Sequence, residues 1–371
     1  MEQIKRVLIS GASFAGLTTA YWMNKMGYEV TIVEVGNHLK KGGTPVDIKG
    51  STVDIVKRMG LFEQIKANRL ELEKWEFKNA EDVTGHTMLL RHVGEEMPEN
   101  EFEIERDILL NLMFDIVKDE VEFIFSDSII SLYENKDTVE VTFKNGSQNQ
   151  FDFVFGCDGI HSAVRRIWFG SEAQYVTFLG QYFSIAIVPK LLIEESTLQL
   201  YAEPNKGFML NAYNGKTDIV FIFRLEKEMP YDYRNQEQIK KIVCDQMQGM
   251  SWKATELKEE LLNSDAFYFD KFCQIKMPSW TKGRVALVGD SGYCASPAAG
   301  MGGSLAIIGA TALADAFAKN NGDFELAFAD YNKDLRPFIE EVQENAVGML
   351  EILLPRSEDA IRKQYAEGLG F

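Results

Sequence analysis

The sequence predicts an α/β fold in which a parallel-sheet dinucleotide-binding domain carries an inserted antiparallel sheet and ends in a C-terminal helix. Three observations predict it. The N-terminus reads as strand, glycine turn, helix and second strand. Near the other end, an apolar strand runs into Gly289-Asp290 and then a Pro/Gly loop. Between them, from Gly170 to Met277, strand-like runs follow one another with little helix.

The N-terminal unit is the most ordered of the three. An apolar strand, Ile4 to Ser10, meets Gly11-Ala12-Ser13, and a helical run from Phe14 to Met26 stops at Gly27. A second strand, Glu29 to Val33, ends at Glu34. This is the βαβ dinucleotide pattern: Gly11 for the tight turn, Gly16 for close helix–strand packing, and an acid for a ribose hydroxyl. Ser13 stands where the pattern has its middle glycine, which narrows the backbone approach to a pyrophosphate. Phe14 and Ala15 complete the turn into the helix. Glu34 reads as the ribose ligand or as a solvated strand end; an acid there disfavours a 2′-phosphate, so FAD or NAD fits better than NADP.

At the far end, Val285 to Val288 is a strand, and Gly289-Asp290 lies at its tip. The loop Pro297-Ala-Ala-Gly300-Met301-Gly302-Gly303 leads into an Ala-rich helical run from Leu305 to Phe317. A strand-end aspartate can accept hydroxyls, and glycines at a helix N-terminus leave N–H groups for anions or carbonyl oxygens. A third element lies between, where Phe151, Phe153 and Phe155 alternate as a strand that breaks at Gly156, followed by Asp158-Gly159-Ile-His-Ser162.

These motifs, in this order and at this separation over nearly the whole chain, resemble the single-component (group A) flavin-dependent aromatic hydroxylases, which include p-hydroxybenzoate hydroxylase. Within that class the sequence is most similar to tetracycline-modifying monooxygenases. The resemblance implies a Rossmann-like FAD-binding domain of the glutathione-reductase type, ββα-containing, from 1–70, 100–170 and 278–333. It also implies a substrate-binding β-sheet domain from 71–99 and 171–277, and a C-terminal helix from 334–371. One FAD is expected, held by Gly11, Ser13, Phe14, Ala15, Gly16, Glu34, Asp158, Gly159, Gly289, Asp290, Pro297, Gly300, Met301, Gly302 and Gly303. NADPH, or NADH, is expected as a transient co-substrate. Hydride would pass to the flavin, and a C4a-hydroperoxyflavin would deliver oxygen to an electron-rich ring. No side chain is assigned as catalytic, since the chemistry is the flavin's. Where relatives read Gly-Asp-Ala-Ala-His, this chain reads Gly289-Asp290-Ser291-Gly292-Tyr293, so no histidine serves there.

Further contacts follow from the same resemblance. Arg106, at the start of a helical stretch, inherits a role at the FAD phosphate or ribitol; a salt bridge to Glu103 or Glu105 is the alternative. Asp47, in Gly42-Gly43-Thr44-Pro45-Val46-Asp47, is a flavin contact or a turn residue. Lys40 and Lys41 are read either as partners of the NADPH phosphate or as solvated loop lysines.

In the inserted region, runs at Tyr182–Val188, Leu198–Ala202, Gly207–Tyr213, Thr217–Leu225 and Ala266–Ile275 predict strands. Asn214-Gly215 is a hairpin signal, and short helices are expected near Gln236–Gln246 and Thr255–Leu262. This sheet would roof the flavin. Phe183, Tyr201, Phe208, Tyr213, Phe221 and Phe223 are candidate lining residues or ordinary core, and Gln199 and Asn211 could orient a substrate or face outward. The segment from Asp334 to Tyr365 reads as helix, with Phe338, Val342, Val347, Leu350 and Ile352 toward a core near the substrate entrance, and no further domain is expected.

Composition excludes other classes. The 371 residues are 46% apolar, ample for a large core, with a net charge of −17 that argues against nucleic acid or an anionic membrane as partner. The four cysteines (157, 244, 273, 294) lack C-x-x-C spacing, and the four histidines (38, 86, 92, 161) form no ligand pair, so neither metal nor disulfides are expected. The chain opens directly into its first strand, without a signal peptide or spanning segment, so a cytoplasmic monomer acting on a small aromatic molecule and O2 is expected. Three readings remain: an FAD monooxygenase, another single-FAD oxidoreductase such as an oxidase or dehydrogenase, or a non-enzymatic flavin or ligand-binding protein. A halogenase is disfavoured because no two tryptophans are separated by a single residue.

Overall fold

The computed structural model describes residues 4–90 and 100–368. Met1 to Gln3, His92 with the rest of 91–99, and 369–371 lie outside the described residues. The framework is a six-stranded sheet in the order Thr281–Lys282, Val285–Leu287, Phe153–Gly156, Arg6–Ser10, Glu29–Glu34, Glu122–Phe125. All pairs but the first are parallel. Its central strands are covered on both faces, so Val7-Leu8-Ile9 and Phe153-Val154-Phe155 are continuous apolar runs with no exposed side. Ser10 lies opposite both Gly156 and Val33, and Gly156 opposite Leu287. Parallel register therefore carries the three strand-end motifs to one edge of the sheet, where α/β folds place their ligands.

A three-stranded antiparallel sheet (Ile129–Glu134, Val139–Phe143, Gln148–Phe151) is inserted ahead of Phe153–Gly156. A seven-stranded sheet forms the second body, in the order Ala266–Ile275, Val176–Val188, Lys216–Arg224, Lys206–Tyr213, Thr197–Glu203, Lys74–Lys78, Thr84–Leu89. The five runs expected from the inserted region are all strands, the first lengthened to begin at Val176. Asn214 and Gly215 have φ of 48° and 73°, the doubly positive pair that a type I′ hairpin turn requires. Helices Gln236–Gln246 and Ala254–Asn263 cover one face of this sheet.

The C-terminal region departs from expectation. The helix begins at Phe324, not Asp334, because Asp323 accepts the Glu325 and Leu326 N–H groups and caps it. It runs through Pro337 to Leu353. Pro355 ends it, and a second helix, Glu358–Glu367, starts from a Ser357 cap. The buried stripe is Leu335, Ile339, Val342, Ala346 and Leu350, whereas Val347 (46% exposed) and Ile352 (36% exposed) face outward. Helical phase puts those two on the other side of the stripe. Among the described residues no helix is long and apolar enough to cross a membrane.

Candidate functional site

The N-terminal glycine turn is built by close approach. Gly11 has φ of 103°, and a Cβ on it would lie 2.5 Å from the Cys157 carbonyl oxygen. A Cβ on Gly16 would lie 1.9 Å from the Gly11 carbonyl oxygen. Both glycines are therefore required by backbone contacts inside the protein. Ser13 sits at φ −120°, which any residue adopts, so glycine's freedom is not needed there. Its side chain does not cap the helix Phe14–Lys25, whose first turn carries no acid. The leading N–H groups are left for an anion, and Arg106 stands beside them, its Nη2 donating to Ser13 Oγ at 3.3 Å and its guanidinium 5.4 Å from the Phe14 ring centre. The Glu34 carboxylate accepts the Ala12 N–H at 2.9 Å and the Gly36 N–H at 2.8 Å, so it holds the turn from the neighbouring strand tip.

Arg106 bonds the carbonyls of Lys40 (2.9 Å) and Gly42 (3.0 Å) and lies 3.6 Å from Asp107. Neither Glu103 nor Glu105 takes it. Glu105 instead pairs with Lys216 and Asn214 of the seven-stranded sheet. The 40–43 loop is thus pinned over the end of the helix. Lys40 and Lys41 are exposed, and Lys40 Nζ lies 5.3 Å from the Tyr268 ring centre. Asp47 offers its carbonyl to Ser304 Oγ at 2.8 Å, while its carboxylate leans on Lys49 at 3.5 Å.

Asp158 and Asp290 behave differently. The Asp158 carboxylate accepts the Ser162 hydroxyl and the N–H groups of Ala163 (2.8 Å) and Val164 (3.1 Å), tying down its own segment. Asp290 opens a single helical turn after Gly289, and burial pushes its pKa up to about 6 against the opposing charge of Arg165. The Cys294 thiol adjoins its carboxylate but donates to the Cys273 carbonyl at 3.8 Å, leaving the carboxylate acceptor capacity for hydroxyl groups. Arg165 was not singled out from the sequence. It is fully buried and donates to the Ser291 carbonyl at 2.7 Å and to the Ile160 carbonyl, joining the Asp158 segment to the Asp290 turn. The only signal for it was its place in the Ser162-x-x-Arg165 stretch. The Tyr293 hydroxyl is buried and accepts from the Tyr331 hydroxyl at 3.0 Å.

Pro297-Ala298-Ala299 forms a 3-10 turn, Gly300 is left-handed at φ 64°, and the helix Gly302–Lys319 starts without a side-chain cap or an acid in its first turn. A Cβ on Gly303 would lie 2.5 Å from Val46 Cγ1. A Cβ on Gly289 would lie 3.2 Å from Ala15 Cβ, so the first and last motifs touch. Two uncapped helix N-termini, an arginine, and two strand-end carboxylates with acceptor capacity converge at one sheet edge.

A second group adjoins this edge. Asp270 accepts from Tyr231 (2.8 Å), Tyr268 (2.8 Å) and His161 Nε2 (3.1 Å), and His161 Nδ1 lies 3.6 Å from Glu172 with its ring stacked on Tyr233. Burial disfavours the imidazolium, but the hydrogen bonds and charges of Asp270 and Glu172 outweigh it and raise His161 to about 9. The same contact holds Asp270 below the usual range. A raised histidine stabilises fully below its unfolded pKa of about 6.5 and loses that increment as pH rises through about 9. The shift corresponds to roughly 3 kcal/mol. We expect His161→Gln to remove most of the stability decline between pH 6.5 and 9. Denaturant unfolding of wild type and variant across that range checks it, and parallel pH curves would refute it.

The seven-stranded sheet presents a cavity of about 150 Å3 beside Pro297 and Ala298. Phe183, Ile185, Met209, Val220 and Ile222 line it from one face of the sheet. The opposite face, with Tyr182, Leu210, Phe221 and Phe223, packs on Ile239, Val243, Leu257 and Leu261 of the two covering helices. This corrects the expected lining. Phe221 and Phe223 are core on the far side, and Phe208 borders the cavity but packs its ring on Phe221 and Trp252. Strand alternation places residues of adjacent number on opposite faces, so aromatic character alone did not decide which of the six meet the cavity. Gln199 lies on the face opposite Leu200 and donates to Glu76 at 2.9 Å. Asn211 shares the cavity face with Met209 but sits one row beyond it, opposite Asp218. Tyr213 donates to Asp218. Phe183 and Tyr201 do border the cavity.

Comparison with known proteins adds identity to this geometry. A family model described as FAD binding domain matches residues 5–346. A flavin-dependent monooxygenase from an unknown prokaryotic organism is 34% identical over 368 residues, covering 98% of this chain and 93% of that protein. A flavin-dependent monooxygenase of Legionella longbeachae is 33% identical, covering 99% and 94%. Among solved structures, the tetracycline destructase Tet(51) superposes with a TM-score of 0.87 at 32% identity, covering 99% of this chain and 96% of that one.

Proposed function

Because this chain belongs to the FAD binding domain family of flavin-dependent monooxygenases, we propose that it takes reducing equivalents from NADPH or NADH and places one oxygen atom from O2 on an aromatic or polycyclic small molecule, acting as a monomer. The observation that carries this reading is the cavity: one wall is the sheet, and its floor is Pro297-Ala298, the entry to the glycine loop that the family resemblance assigns to the flavin.

The residues present fit FAD. The uncapped start of the helix Phe14–Lys25, with Arg106 beside it, supplies N–H groups and a positive charge for a pyrophosphate. Glu34 stands at the strand tip for an adenosine ribose, and Asp290 has acceptor capacity for ribitol hydroxyls. The N–H groups at Gly302 and Gly303 would favour negative charge on the reduced ring. When bound, FAD supplies the redox chemistry that this chain's side chains lack. The chain's own contribution is to bind, to orient the substrate ring against the Pro297 turn, and to exclude water by its apolar walls.

Two measurements test the reading. Heat-released chromophore should chromatograph as FAD; FMN or no flavin would contradict it. Under labelled dioxygen, product should gain one heavy oxygen atom while NAD(P)H oxidation accelerates with substrate. Product labelled from water alone, or oxidised without gaining oxygen, would assign the chain to oxidase or dehydrogenase chemistry.

A further inference from the structure

We infer that the cavity selects compact, uncharged, largely apolar phenols and discriminates against substrates carrying a charged group, tetracyclines included. The inference rests on the monooxygenase reading and specifies the substrate class of the same site. The argument is an inventory of polar groups. The cavity is enclosed mainly by Phe183, Met209, Ile222, Phe272 and their neighbours on that face. Five polar side chains border it, and four are already committed elsewhere. Lys78 Nζ lies 3.0 Å from Glu76 and 2.7 Å from Thr84 Oγ1. The Tyr201 hydroxyl donates to Glu203 at 2.6 Å. Gln364 donates to the Ile352 carbonyl at 3.2 Å, and Tyr365 to the Val83 carbonyl at 3.4 Å. Thr44 alone has no such partner among the described hydrogen bonds.

One hydroxyl suits one phenol or ketone on the ligand. A carboxylate would meet only Lys78, already paired with Glu76, and an ammonium or a ring edge dense in ionisable oxygens would leave water for a wall short of free partners, a cost that is large unless the group neutralises. The cavity measures about 150 Å3, small beside the roughly 300 to 1,000 Å3 of drug-sized sites, so it favours a compact ring system. The net charge of −17 adds a long-range penalty for anions.

The test uses FAD-loaded wild type with a neutral naphthol, its carboxylated counterpart and tetracycline. Binding is read from perturbation of the flavin absorbance and turnover from NADPH oxidation. We expect the neutral ring to bind at least about 100-fold more tightly than either charged ligand. Met209→Lys, which adds a cation to the wall, should narrow the gap for the carboxylate by about ten-fold. Equal or tighter binding of a charged ligand overturns the inference, as does no perturbation by the neutral ring at saturation. Tight neutral binding without accelerated NADPH oxidation would leave the substrate class standing and refute the monooxygenase reading.

Discussion

Gly16→Ala is expected to abolish FAD retention and to destabilise the protein by about 3 kcal/mol or more. The added methyl would sit 1.9 Å from the Gly11 carbonyl oxygen, a backbone atom that cannot swing aside as a flexible side chain would. Relief requires the helix Phe14–Lys25 to move away from the strand Arg6–Ser10. That motion displaces the N–H groups offered to the pyrophosphate and loosens the packing of Leu17 and Ala20, both fully buried. Gly302→Ala is the matched control. Gly302 belongs to the same cofactor motifs, yet nothing lies within 4 Å of its virtual Cβ. Its apoprotein should therefore unfold within about 0.5 kcal/mol of wild type, and any loss of FAD affinity would report close approach of the cofactor itself. Chromophore content and denaturant unfolding of both variants decide the matter; a stable, yellow Gly16→Ala protein would refute the packing argument.

Asp290→Ala should weaken FAD binding by about ten-fold or more, the equivalent of one charge-assisted hydrogen bond, while leaving the apoprotein folded. The pH dependence separates this from mere surface exposure. Burial raises Asp290 to about 6, so ionising it costs the folded apoprotein stability as pH rises from the ordinary carboxylate range through about 6. Removing the carboxyl should accordingly make the apoprotein more stable than wild type above pH 6. FAD hydroxyls favour the ionised form, so wild-type FAD affinity should fall as pH drops below about 6, and the variant should lose that dependence. Fluorescence titration of apoprotein with FAD at several pH values measures both. Full FAD retention by the variant at high dilution would make Asp290 a structural residue only.

Motif order and residue type carried the cofactor domain. Gly11, Gly16, Glu34 and Gly289-Asp290 were legible because a strand end, a tight turn and a helix start each demand particular residues locally, and those demands are printed in consecutive positions. The strands of the second sheet were legible for the same reason, down to the Asn214-Gly215 turn. The helix beginning at Phe324 was not, because its start depends on the Asp323 cap and lies in a segment of mixed polarity.

What residue order could not decide was which face of each strand would meet the ligand. Phe208, Phe221 and Phe223 are as aromatic as Phe183, and alternation alone permits either set to face inward. Two layers compete for that sheet: the covering helices on one side and the Pro297 turn on the other. Only the three-dimensional packing assigns Phe221 and Phe223 to the helices and Phe183, Met209 and Ile222 to the cavity. The same holds for Arg165, whose carbonyl partner at Ser291 lies 126 residues away, and for Arg106, whose expected partner Glu105 pairs with Lys216 and accepts from Asn214 instead. Local conformation is a property of neighbouring residues in the chain and is written there; partner choice across a fold is a competition among distant groups, and it is settled only when the elements pack.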